Sequence, residues 1–148
     1  MNFMFVRQIS IYLENIRGSL RELTQLLGEN GIDLKALSIA DTSSFGIVRC
    51  IVKESDIEKT TALLRENGHI AKVNNVICVC VPDKPLGLCN ILTLLENAGI
   101  SIEYTYSFYT NTGDNAVLII RPSEKRRSVQ IFEENGIKML EQADIDQF

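Results

Sequence analysis

The feature that most constrains this chain is that it repeats itself. Displaced by 68 positions, Ile9, Ile11 and Leu13 fall on Ile77, Val79 and Val81. Leu20, Leu23, Leu26 and Leu27 fall on Leu88, Ile91, Leu94 and Leu95. Gly31-Ile32 falls on Gly99-Ile100, and Glu66-Asn67-Gly68 on Glu134-Asn135-Gly136. A one-residue slip after Thr112 places Val48, Cys50 and Val52 on Val117, Ile119 and Arg121. Self-similarity held through strand-like and helix-like stretches means one supersecondary unit used twice.

Each copy reads alike. Residues 3–13 and 76–82 alternate with period two, which predicts a half-buried strand. The leucine-rich stretches that follow have helical spacing and end at Asn30-Gly31 and Ala98-Gly99, where a helix C-cap is expected. A strand (32–41; 100–110), a polar turn, a second strand (45–53; 115–121) and a second helix (55–67; 123–135) come next. A short strand near 69–74 or 137–142 closes each copy. The order β-α-β-β-α-β is the split βαβ arrangement. The expected fold is therefore α+β: two ferredoxin-like units, 1–73 and 74–148, with antiparallel sheets joined edge to edge and helices on one face. A unit of under about 75 residues has a marginal core by itself, and edge pairing would also cover exposed strand edges.

Composition narrows the function. The chain has 148 residues, 45% of them hydrophobic, and a formal charge of −4, so it lacks the clustered cations that phosphate neutralisation requires. The one basic run, Lys125-Arg126-Arg127, reads as a solvated helix surface. Nothing resembles a signal peptide or an apolar span of about 18 residues, so a cytoplasmic location without membrane contact is expected. The four cysteines (Cys50, Cys78, Cys80, Cys89) form no CxxC pair and read as small apolar packing groups rather than metal or redox ligands. His69 is the single histidine, which leaves nucleophilic catalysis without a signature. No phosphate-binding glycine motif is present. The strand positions that would read RNA carry Ser10, Tyr12, Cys78, Cys80 and Leu118 rather than interleaved aromatic and basic residues. No enzyme activity, metal or cofactor is expected.

The loops between first strand and first helix carry the functional signal. They are Glu14-Asn15-Ile16-Arg17-Gly18-Ser19-Leu20 and Pro82-Asp83-Lys84-Pro85-Leu86-Gly87-Leu88. A glycine-containing loop into a helix offers free backbone N–H groups and the positive dipole end, which suits a carboxylate. Gly18 and Gly87 leave room for a ligand to approach the backbone. Asn15 and Asp83 hold equivalent places where an oxygen can accept from an ammonium group, or can equally cap the turn. Together with the stretches 40–49 and 102–108, these loops resemble stand-alone tandem ACT-domain proteins, over essentially the whole chain. Two departures are Arg17 where proline is usual, and Leu86 where the first glycine is usual.

The resemblance implies a non-catalytic regulatory protein that binds a free L-amino acid in grooves between its two units. It places one site among Asn15, Ile16, Arg17, Gly18, Ser19 and Leu20, walled by Glu103, Tyr104, Thr105, Tyr106, Ser107 and Phe108. The other lies among Asp83, Lys84, Pro85, Leu86, Gly87 and Leu88, walled by Leu37, Ser38, Ile39 and Ala40. The alternative is a regulatory subunit or scaffold for a partner enzyme whose ligand sites have degenerated. Tyr12, Cys78, Cys80, Leu118 and Ile120 are expected on the sheet face away from the helices, an apolar face suited to a back-to-back homodimer.

Overall fold

The computed structural model describes residues 4–14, 16–40, 45–109 and 113–148. Chain contacts divide into two units, Arg7–Asn74 and Asn75–Phe148, the latter joined by the residues up to Val6. The N-terminal unit contains β1 (Val6–Glu14), α1 (Ser19–Glu29), β2 (Ala36–Ala40), β3 (Phe45–Ile51) and α2 (Ile57–Glu66), the last entered through a 3₁₀ turn at Glu54–Asp56. β4 (Ile70–Pro82) supplies strand to both units. The C-terminal unit continues with α3 (Gly87–Asn97), β5 (Ile102–Ser107), β6 (Asn115–Pro122), α4 (Lys125–Glu134), β7 (Met139–Leu140) and α5 (Gln142–Ile145). The strand order is β2-β3-β1-β4 in the first unit and β4-β6-β5 in the second, with β7 also paired to β4. This is the antiparallel α+β architecture of tandem ferredoxin-like units.

Alternation decides which side chains form each core. In the N-terminal unit Ile9, Ile11 and Leu13 of β1 meet Leu23 and Leu27 of α1, Leu64 of α2, and Val48 and Cys50 of β3. In the C-terminal unit Ile77, Val79 and Val81 meet Ile91, Leu95, Ile120 and Phe132. Each such fully buried side chain contributes about 1.5–3 kcal/mol relative to exposure. Burial without compensation pushes the Cys50 thiol up to about 12 and raises that of Cys78 as well.

Strand register corrects two sequence expectations. Ile9 pairs with Cys50 and Ile11 with Val48, whereas Ile77 pairs with Ile120 and Val79 with Leu118. Cys50 is therefore equivalent to Ile120, and the slip in the hairpin is two residues rather than one. A one-residue slip would turn every side chain of the strand to the other face; two residues preserve the inward set. Copy two regains the 68-residue offset because β6 runs to Pro122 and α4 follows without the 3₁₀ turn that precedes α2. Consequently Leu118 and Ile120 pack toward the helices, and Val117 and Ile119 take the opposite face beside their partners Cys80 and Cys78.

That opposite face is covered by the chain's own C-terminus. The expected closing strand 137–142 shrinks to Met139–Leu140, and α5 follows. Leu140 pairs with Cys78, Ile145 is fully buried, and Asp144 lies close enough to act electrostatically on the Cys78 thiol. The Phe148 ring meets Phe108 edge-on at 5.6 Å. In the C-terminal unit the apolar face that suggested a sheet-to-sheet dimer is thus occupied from within. The strands expected separately at 69–74 and 76–82 are one element, β4, because nothing in Val73-Asn74-Asn75 breaks the extended backbone.

Candidate functional site

Among the described residues, three backbone hydrogen bonds are repeated in the two strand-to-helix loops. Ile16 N–H donates to the Glu14 carbonyl at 2.9 Å, as Lys84 N–H does to that of Pro82 at 2.9 Å. Ser19 N–H donates to Ile16 at 3.2 Å, and Gly87 N–H to Lys84 at 3.0 Å. Glu22 N–H bonds the Gly18 carbonyl and Asn90 N–H that of Leu86, both at 2.9 Å. The N-cap residues are Gly18 (φ 88°) and Leu86 (φ 67°), both left-handed, and among the described residues neither helix start carries a side-chain cap. The N–H groups of the first turn therefore keep the anion-binding character of an uncapped helix start.

This equivalence revises the role of Gly87. It corresponds to Ser19, and the residue equivalent to Gly18 is Leu86. Gly87 is buried, and a Cβ there would collide with the Pro82 carbonyl oxygen. The chain's own turn therefore requires glycine at this position. Leu86 is the one non-glycine with positive φ among the described residues, a conformation costing an L-residue about 1–2 kcal/mol. The residue is 68% exposed.

Beside the first loop is a cleft of about 510 Å³, lined among the described residues by Tyr12, Leu13, Glu14, Ile16, Ser19, Glu22 and Leu26, and by Asn67, Gly68 and His69. A second hollow of about 520 Å³ shares Tyr12, Leu13, Glu14 and Gly68 and adds Ile70 and Lys72. The Lys72 ammonium stands 6.0 Å from the Tyr12 ring centre. Carboxylates, an imidazole, a phenol and aliphatic side chains thus border one groove. Beside the second loop is a polar notch of about 420 Å³ between Pro82, Asp83, Lys84 and Gly113, Asp114, Asn115. There the Asp83 N–H is bonded to the Asp114 carbonyl at 3.0 Å.

Of the residues singled out in the sequence, Ile16 and Ser19 line the first cleft and Asp83 and Lys84 the notch. Arg17 and Pro85 are exposed turn residues. Leu20, Leu37 and Leu88 pack against the cores. Asn15 lies outside the described residues. Ser38 and Ile39 sit on β2, with Ile39 half exposed. On β5 the Tyr104 and Tyr106 rings stack at 6.4 Å, and the Thr105 hydroxyl donates to the Ile119 carbonyl at 2.7 Å. Glu103 pairs with Arg121 at 3.3 Å. Phe108 is not an open wall, since it is buried against Phe148.

Sequence reasoning did not select Tyr12, Glu14, Glu22, His69 or Lys72. The available signal was topological: in a βαββαβ unit the first and fourth strands are antiparallel neighbours, so the end of one lies beside the start of the other. That brings His69 and Lys72 to Glu14. Among the described residues no cluster of His, Cys, Asp and Glu fit to hold a metal ion is present, and no helix is long and apolar enough to cross a membrane.

Comparison with known proteins gives one family, described as ACT domain pair, matching residues 4–148. A crystallised protein of Bacteroides thetaiotaomicron is 35% identical, with all of both chains covered and a TM-score of 0.89. The ligand-free regulatory subunit of aspartate kinase from Thermus thermophilus is 16% identical, covering 88% of this chain and 92% of its own, at TM-score 0.62. That of Thermus flavus is 17% identical, covering 87% and 92%, at TM-score 0.58. The last two likenesses are of fold. A search of the curated proteins gave no match.

Proposed function

From the premise that this chain belongs to the ACT domain pair family, we propose that it is a regulatory protein that senses a free L-amino acid at its strand-to-helix loops. The observation that carries this reading is the first loop: an uncapped helix start after Gly18, opening beside a cleft of about 510 Å³ that holds both polar and aliphatic groups. The N–H groups at the start of α1 receive the α-carboxylate. Glu14 and Glu22 are the carboxylates at hand for the ammonium, and Leu13, Ile16 and Leu26 meet the side chain. Asn15, next to Glu14 in the chain, is a further acceptor in this reading. Regulation follows by linkage: a ligand that favours one arrangement of the protein changes the affinity of any partner that also distinguishes arrangements.

A second reading, an interaction subunit for a metabolic enzyme with degenerate ligand sites, draws its support from Leu86 in the second loop. Thermal-shift measurement across the twenty proteinogenic L-amino acids separates the two. At 100 times its dissociation constant a ligand adds about 2.7 kcal/mol, which raises the melting temperature of a chain this size by about 5–10 °C. The sensor predicts such a dose-dependent rise for one or a few amino acids. A flat response to all twenty favours the subunit.

A further inference from the structure

Building on that reading, we infer that each chain holds one ligand, at the first loop, and that Leu86 closes the second. Three backbone hydrogen bonds are repeated among the described residues of the two loops and do not distinguish them. The side chain at the left-handed N-cap position does. At Gly18 no heavy atom of the described residues, its chain neighbours aside, lies within 4 Å of where a Cβ would stand, so the approach to the helix start is open there. At the equivalent place Leu86, 68% exposed, sets an isobutyl group on the same approach. A carboxylate within hydrogen-bond reach of the first-turn N–H groups has to pass through the volume such a side chain sweeps.

The surroundings differ in the same sense. The cleft of the first loop reaches Ser19, Glu22 and Leu26 of α1, so a molecule inside it meets the helix start. The notch of the second loop runs to the β5–β6 hairpin instead, and no residue of α3 lines it. The Asp83 N–H, which faces that hairpin, already donates to Asp114. One loop thus combines an open N-cap with a cleft along its helix, whereas at the other Leu86 holds the N-cap and the notch described lies toward the hairpin.

The test is calorimetric titration with the amino acid that gives the largest thermal shift among the twenty. The wild-type protein is expected to bind one equivalent per chain. Leu86→Gly is expected to bind two, and Gly18→Leu to lose at least 100-fold in affinity while keeping its circular dichroism spectrum. Two equivalents in the wild type, or one in Leu86→Gly, would overturn the inference while leaving amino-acid sensing intact. Undiminished binding by Gly18→Leu would also overturn it. Should Gly18→Leu fail to fold, the other two titrations still decide. Absence of heat with every amino acid would instead overturn the proposed function, and this inference with it.

Discussion

Two adjacent residues, Leu86 and Gly87, show how one position can obey different physics in two copies of a unit. Leu86 holds φ 67°, and replacing it by glycine removes about 1–2 kcal/mol of backbone strain. Glycine also enlarges the unfolded ensemble, which costs about 0.4–1 kcal/mol. Leu86→Gly should therefore leave stability unchanged or raise it by up to about 1.6 kcal/mol in urea denaturation. Gly87→Ala drives a Cβ into the Pro82 carbonyl, and the forced shift should cost about 1–3 kcal/mol. Equal effects of the two substitutions would contradict the assignment of Leu86, rather than Gly87, to the N-cap. The sequence displayed both residues, and the 68-residue displacement that sets Leu88 on Leu20 also sets Leu86 on Gly18. The paired bonds Ile16–Glu14 and Lys84–Pro82 repeat that correspondence in the structure.

At the level of elements, hydrophobic period was a good guide wherever one face of a strand or helix meets a core. Ile9, Ile11, Leu13 and their counterparts Ile77, Val79 and Val81 all point inward as their alternation requires. Alternation could not place β6, because Ala116 to Ile120 are apolar on both faces and admit either register. The covering of the outer face by α5 was also illegible, since a four-residue helix has too few residues to show a period. This cover has a chemical signature. In the intact chain a thiol reagent should react fast with Cys89, which is exposed, and slowly with Cys50, Cys78 and Cys80. Removal of residues 141–148 should bring Cys78 and Cys80 into the fast phase while Cys50, in the other core, stays slow. An unchanged fast phase would show that these residues do not shield the face, and reaction of all four thiols would report general unfolding.

For the molecule as a whole, the duplication has kept the side chains that build two cores and changed those around the two loops. The fold was legible because core positions repeat; the cleft was less so. Tyr12, Glu14, Glu22, His69 and Lys72 come from three separate stretches that only strand pairing brings together. Regulation by a small ligand requires that the ligand meet these groups and the start of α1. The most direct measurement is an amide chemical-shift titration of the ¹⁵N-labelled chain with the amino acid of largest thermal shift. Saturable shifts are expected, concentrated at Ile16–Arg21 and at Asn67–His69, with those at Lys84–Cys89 small by comparison. Saturable shifts centred elsewhere, leaving Gly18, Ser19 and Leu20 unmoved, would contradict binding at the first loop.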